Sequence, residues 1–305
     1  MSIYAGYAGC PPGCCKPLAL RESYDSCSCN SPGRSDVRKV LAKLRWTEEP
    51  FLTSPFFFYI IVCGDVMRLD RFLSSQIADV SRKDVKKLCL KGRVTVNGAA
   101  AKRSDMHIDE NKDVVLLDGK KIEYKEHIYI MLNKPQGVVC ATRDGLSKTV
   151  LELIPEELRR KGLFPAGRLD KDTEGFVLIT DDGELAHRML SPAHHVPKTY
   201  FVRLEKPWEE SYRETFGQGF EDDEGGRWLP AEFEPSQEND RECLLTITEG
   251  RYHQVKRMFI QLGNRVEFLK RIRIGKMELD ANLPAGGCLE ILHKDVDKLL
   301  TKKSG

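Results

Sequence analysis

The sequence has no apolar run near the roughly 18 residues that span a bilayer. Its longest candidate, "FFFYIIVC" from Phe56 to Cys63, is too short. A basic region followed by an apolar core is missing from the start, so it does not read as a secretory leader. Neither sign of charge dominates: 48 Lys and Arg face 46 Asp and Glu, a net charge of +2, and the total alone indicates no partner. Cysteine is scarce where the chain looks folded. Only Cys89, Cys140, Cys243 and Cys288 follow residue 66, widely scattered, and they read as isolated thiols of a cytoplasmic protein. A strict βαβ repeat is also absent, which argues against a doubly wound sheet. What remains, 305 residues with 41% apolar and 31% charged content, suits a soluble protein of two domains with a tail.

Three segments differ in character. Residues 1–66 hold Gly, Pro, Ser and six cysteines, then the helical-looking "DVRKVLAKLRW". The Cys10, Cys14, Cys15 cluster and the Cys27, Cys29 pair lack the doubled C-x-x-C spacing of a zinc site, so no metal is expected. We expect an irregular extension here, with Met67 as a true or alternative start.

From Met67 to Glu126 the pattern becomes regular. "MRLDRFLSSQ" spaces Leu69, Phe72, Leu73 and Gln76 as a helix. Ser81, with Asp84 three residues on, predicts a capping box for "RKDVKKLCLKG", and Gly92 supplies the stop. "RVTV" alternates as a strand and runs into the hairpin signal Asn97-Gly98. Charge is lopsided: Arg68, Arg71, Arg82, Lys83, Lys86, Lys87, Lys91, Arg93, Lys102 and Arg103 outnumber Asp70, Asp79 and Asp84. Such a face suits phosphate contacts, although a merely solvated helix face would look similar. The two short helices followed by "KGRVTVNG" resemble an S4 RNA-binding domain. That likeness implies structured RNA as partner, with Arg82, Lys83, Lys86, Lys87 and Arg93 as RNA-binding residues.

Residues 127–305 are strand-rich. "IYIML" and "GVVCAT" read as strands around Asn133-Lys134-Pro135-Gln136, and "GFVLIT" as a buried strand. "DGELAHRML" reads as a helix capped by Asp181 or Asp182, with Leu185, Met189 and Leu190 as its apolar positions. "KTYFVRLEKP" and "ECLLTITEG" alternate as strands, and "RYHQVKRMFIQLG" is amphipathic through Val255, Met258, Phe259 and Leu262. The fold class expected is α+β, built on an extended mixed, mostly antiparallel sheet.

The chemistry centres on "PAGRLDKDTEGFVLITDDG", Pro165 to Gly183. Asp170-x-Asp172-x-Glu174-Gly175 echoes half of a calcium loop. Glu174 and Asp181 stand where that loop wants other ligands, however, and the flanks do not frame it with helices. Taken locally, Asp170 reads as a turn cap. The rest of the segment favours chemistry. Arg251, His253, Gln254, Lys256 and Arg257 crowd one helix start, which suits an anionic ligand. Lys198 and Tyr200 share one face of a strand, and an aromatic beside cations can hold an unstacked base. A carboxylate among cations stays ionised and usable as a nucleophile.

"NKPQG", "AGRLDKDTEGFVLITDDG", "SPAHHVPKTY" and "EGRYHQVKRM", in this order behind the S4-like segment, resemble the RsuA-type rRNA pseudouridine synthases over about Met67 to His293. The resemblance implies the pseudouridine synthase fold and a uridine-to-pseudouridine isomerisation that needs no cofactor. It also implies the catalytic residues Asp170 as nucleophile, Tyr200 against the base, and Lys256 beside the aspartate with Arg257 as fallback. Arg168 would fill or brace the space of the flipped base, while Lys134, Lys198 and Arg251 would contact phosphates or support the site. "TDDG", "SPAHH" and "KTY" look most similar to the small-subunit branch, which acts on uridine 516 of 16S rRNA. The implied protein is a cytoplasmic monomer, with no membrane partner, that meets 16S rRNA or a small-subunit assembly intermediate. Two alternatives stand beside it: a 23S rRNA enzyme of the same family, and a non-catalytic ribosome-assembly factor.

Overall fold

A computed structural model describes residues 66–301. The expectations for residues 1–65 lie outside this range: the irregular Cys-rich extension, the helix at "DVRKVLAKLRW" and the metal-free cysteine cluster.

Strand β1 (Val66–Arg68) leads directly into helix α1 (Leu69–Gln76), and helix α2 (Arg82–Leu90) follows. The expected capping box is present at α2: Ser81 Oγ accepts from the Asp84 N–H and the Asp84 carboxylate accepts from the Ser81 N–H. Strands β2 (Val94–Val96) and β3 (Ala99–Ala100) meet at Asn97-Gly98, whose φ values of 52° and 81° are the two positive angles of a type I′ hairpin. Strand β4 (His107–Asp109) pairs with β1, while β5 (Val115–Leu117) and β6 (Lys120–Ile122) extend the β3-β2 ladder. Leu69, Phe72, Leu73, Val85, Val94, Ile108 and Val115 form the core of this part.

The second part is a nine-stranded mixed sheet. Its strands are β7 (Tyr129–Lys134), β8 (Phe164–Ala166), β9 (Glu174–Thr180), β10 (Lys198–Leu204), β11 (Glu232–Pro235), β12 (Glu242–Ile247), β13 (Val266–Ile274), β14 (Met277–Glu278) and β15 (Cys288–Glu290). The spatial order is β11-β12-β10-β13-β9-β7-β15, with β14 on β13 and β8 on β9. Every pairing is antiparallel except β13 with β9. The α+β class and the mostly antiparallel sheet are therefore as expected.

Both faces of the sheet centre are covered, which explains the unbroken apolar run in β9. Val177 and Ile179 pack into one cluster with Ile130, Leu132, Tyr200 and Val202. Phe176 and Leu178 pack into the opposite cluster with Tyr129, Met131 and helix α3 (Gly183–Leu190). Asp182, rather than Asp181, caps α3 by accepting from the Leu185 N–H, and it also accepts from the Tyr129 hydroxyl. Helices α4 (Ser211–Gln218) and α5 (Gln254–Gln261) contribute Tyr212, Phe216, Val255, Met258 and Phe259 to the first cluster.

Two expectations are corrected, and one strand was not foreseen. "GVVCAT" is not a strand. After Pro135 the chain turns at Gly137, φ 83°, and only Val139 makes an isolated bridge, to Thr149. The Gly137 N–H bonds instead to the Lys171 carbonyl, so this segment braces the Asp170 loop. Leu190 is 46% exposed rather than part of the apolar face of α3. The nine-residue strand β13 was not among the expected strands: Glu267, Leu269, Arg271 and Arg273 on one parity and Val266, Phe268, Lys270 and Ile272 on the other both mix charged and apolar residues.

Residues on both sides of position 126 belong to one compact unit. Lys125 pairs with Glu290 at 2.6 Å, Arg160 donates to the Lys125 carbonyl, and Lys161 donates to that of Val80.

Candidate active site

The loop between β8 and β9 presents Asp170, and backbone geometry fixes that loop at both ends. Gly167 has φ 99°, and Gly175 has φ 103° at the point where β9 runs beside β13. A Cβ on Gly175 would lie 2.2 Å from the Arg271 carbonyl oxygen, so only glycine permits this approach. Between them the three residues of "RLD" separate: Arg168 is exposed, Leu169 is buried in the core, and Asp170 is partly exposed in a cleft. Leu169, unremarked in the sequence, thus pins the carboxylate from within.

Lys134 closes the loop from below. Its side chain is fully buried and Nζ donates to the carbonyls of Thr173 at 2.7 Å, Pro135 at 3.1 Å and Lys171 at 3.3 Å. Burial pushes its pKa down, offset in part by Cys140 and nearby carboxylates. Of the two roles expected for Lys134, phosphate contact or support of the site, its complete burial and its three bonds to loop carbonyls favour support.

The cleft holds about 390 Å³, a small-ligand volume, and Arg168, Asp170, Lys198, Tyr200, Lys256 and Arg271 are among its lining residues. Asp170 Oδ2 stands 3.4 Å from Lys256 Nζ, and Oδ1 stands 3.4 Å from His253 Nε2. Lys256 is shared, since it also donates to Asp172 Oδ1 at 2.6 Å. That bond, ahead of other causes, holds the Asp172 carboxyl below its usual range. Asp172, read as a loop residue, is therefore an electrostatic member of the site. His253 adopts a left-handed conformation, φ 49°, immediately before α5, and its ring stacks on Tyr252.

Lys198 and Tyr200 face the cleft from β10 as their shared parity required, while Thr199 bonds to Thr246. Both are nearly buried, at 7% exposure each. Lys198 Nζ donates to the Val196 carbonyl at 2.9 Å. Burial, with the Arg271 charge adding to it, pushes its pKa down to about 8. Arg271, on β13 opposite Tyr200, is 4% exposed; its Nε donates to the Phe176 carbonyl at 2.8 Å and its buried Nη2 has no partner among the described residues. Sequence reasoning missed Arg271. No polarity alternation in β13 marks it, since each parity mixes charged and apolar residues; its inward position follows from the pairing of β13 between β9 and β10.

The remaining cations differ from expectation. Arg257 does not line the cleft. It pairs with Asp223, and with Glu224 at 2.9 Å, over the Trp228 ring, so it neither stands in for Lys256 nor offers a free charge to RNA. Arg251 lines the cleft but is paired with Asp222, with its guanidinium 4.5 Å above the Trp228 ring centroid. Trp228, without a role in the sequence, is the buried platform beneath both. Gln254 is 3% exposed and bonds Glu249 and the Arg251 N–H, holding the chain that enters α5.

In the first part, Arg93 is paired with Asp118 and Lys87 with Asp84 at 3.0 Å. Arg82, Lys83, Lys86 and Lys102 line a groove of about 460 Å³ together with Arg68 and Arg103. The basic face is therefore narrower than the raw list of cations.

Comparison with known proteins places both parts. Residues 128–261 match the family described as RNA pseudouridylate synthase, and residues 67–114 match the S4 domain. A Bacillus subtilis protein named as an uncharacterized RNA pseudouridine synthase is 43% identical over 236 residues, spanning 76% of this chain and 98% of its own. A Vibrio vulnificus ribosomal small subunit pseudouridine synthase A is 42% identical over 234 residues, spanning 76% of this chain and 99% of its own. A solved pseudouridylate synthase structure, 38% identical, superposes with a TM-score of 0.54 over 76% of this chain and 99% of that one. Among the described residues no helix is long and apolar enough to cross a membrane.

Proposed function

The chain belongs to the RNA pseudouridylate synthase family, and on that premise we propose that it isomerises a uridine of 16S ribosomal RNA to pseudouridine, with uridine 516 as the target. The observation that carries this reading is a braced carboxylate, Asp170, in one cleft with Lys256 at 3.4 Å and the Tyr200 ring. Relatives of 42 and 43% identity named as ribosomal small subunit enzymes favour the 16S branch.

In this account the target nucleotide leaves its stack, because the glycosidic bond is unreachable inside a helix. Arg168, exposed at the cleft, fills or braces the vacated space. Asp170 attacks C1′, the C1′–N1 bond breaks, and uracil is released within the site. Lys256, 3.4 Å from its Oδ2, orients Asp170. Tyr200 packs on the ring while it turns to present C5, and it helps remove the C5 proton after rejoining. The product is an isomer of the substrate, so the chemistry calls for no redox partner.

The groove bearing Arg82, Lys83 and Lys86 would hold the surrounding RNA, with the segments divided near residues 126 and 127 acting as binding and catalytic domains. We place the protein in the cytoplasm, as a monomer acting on 16S rRNA or on a small-subunit assembly intermediate. The test is chemical mapping of pseudouridine in 16S and 23S rRNA from cells lacking the protein. Loss at uridine 516 is expected; loss at a 23S site alone, or at none, overturns the assignment.

A further inference from the structure

We propose that Arg271 and Lys198 form a built anion subsite in the cleft, which takes the negative charge that collects on uracil when it leaves C1′. This inference rests on the isomerase reading above and names two groups that touch the base. Both side chains line the cleft with Asp170, and both are more than nine-tenths buried, at 4% and 7% exposure. Neither is ion-paired among the described residues. Each uses one donor on the backbone, Arg271 Nε on the Phe176 carbonyl and Lys198 Nζ on the Val196 carbonyl. Arg271 Nη2 is buried and unpartnered, and the Lys198 ammonium has further N–H donors.

Two adjacent buried cations without a counter-ion raise the energy of the fold, because burial penalises each charge and each repels the other. A purely structural role would need only the two backbone bonds. The arrangement is accounted for if a negative charge arrives during turnover. One does: as Asp170 bonds to C1′, the C1′–N1 electron pair goes to uracil, leaving an anion spread over the ring and its oxygens. When C5 later bonds to C1′, the Asp170 carboxylate departs, C5 loses its proton and N1 gains one, so the base is again neutral. Preorganised donors aimed at transient charge are the usual source of large rate effects. A backbone phosphate carries the same kind of charge, but it keeps to the outside of the nucleic acid, whereas both of these cations are buried, at 4% and 7% exposure.

The experiment follows single-turnover loss of the target nucleoside from RNA bearing uridine or 5-fluorouridine at the position the wild-type protein modifies; because C5 of the second carries fluorine in place of the proton lost last, its consumption reads C1′–N1 cleavage and rejoining alone. 5-Fluorouracil is the more acidic ring and so the better leaving group, and it depends less on external charge stabilisation. Lys198→Met should slow consumption of uridine RNA about 100-fold, in line with loss of one such donor. Its loss on 5-fluorouridine RNA should be about 10-fold smaller, with RNA affinity unchanged. Lys198→Arg, which restores the charge, should recover most of the rate. An equal loss on both substrates overturns the proposal. So does a loss confined to affinity with a shallower salt dependence, which would assign the pair to a phosphate. If the wild-type protein converts no rRNA uridine, the isomerase reading itself fails, a separate outcome.

Discussion

Lys198→Met should stabilise the protein near neutral pH while impairing it. The Lys198 pKa falls from 10.5 to about 8, chiefly through burial. In the unfolded chain the amine returns to its ordinary value, so between about pH 8 and 10.5 the unfolded state binds more protons and wild-type stability rises with pH. Below about pH 8 the charged amine costs the fold its full penalty. At about 1.4 kcal/mol per pH unit this is about 3 kcal/mol. Methionine removes that penalty but also the bond to the Val196 carbonyl, a loss of about 1–2 kcal/mol. The variant should therefore be more stable than wild type by about 1–2 kcal/mol at about pH 7. That advantage should shrink by about 2 kcal/mol at about pH 9.5, where wild-type Lys198 has largely shed its proton. Urea unfolding of both proteins at the two pH values measures this, and groups common to both cancel in the comparison. A variant less stable by the same amount at both pH values would refute the reasoning, because Lys198 would then be an ordinary satisfied lysine.

Gly175→Ala should destabilise the protein by more than about 3 kcal/mol, since the new methyl meets the Arg271 backbone at a positive φ; thermal unfolding checks it. Lys134→Met should cost about 1–3 kcal/mol in a urea titration, because the loss of three bonds, to the Thr173, Pro135 and Lys171 carbonyls, outweighs the relief of burying the amine, and should lower activity by loosening the Asp170 loop. Joint charge reversal of Lys83 and Lys86 should weaken RNA binding and reduce the slope of log affinity against log salt by about 1–2, measured by filter binding at several salt concentrations.

Local signals are legible where the determining residues are close in sequence and bond one another, as they were not in "GVVCAT", whose Gly137 N–H bonds to the Lys171 carbonyl. Ser81 and Asp84 are three apart and form the capping box, and Asn97-Gly98 turns its hairpin alone. Asp170, Tyr200 and Lys256 were brought together only by resemblance, and the fold does converge them on one cleft. The residues left open or misread depend on distant partners. Lys134 looked like a free cation in a turn, yet its acceptor on Thr173 lies 39 residues away. Arg257 looked available beside Lys256, yet its carboxylate, Asp223, lies 34 residues upstream. A cation in a sequence is not a free charge until its surroundings are known. Arg271 was hidden for a related reason: in "KRIRIGK" it reads as one surface cation among several, and only the pairing of β13 between β9 and β10 turns it inward.

The central claim is that Asp170 is the nucleophile, and Asp170→Ala tests it most directly. The variant is supplied as the sole copy in cells lacking the wild-type protein, and pseudouridine is mapped across 16S and 23S rRNA. The account predicts no detectable pseudouridine at uridine 516, with wild-type protein restoring it in parallel. Unchanged modification in cells carrying only the alanine variant would contradict it.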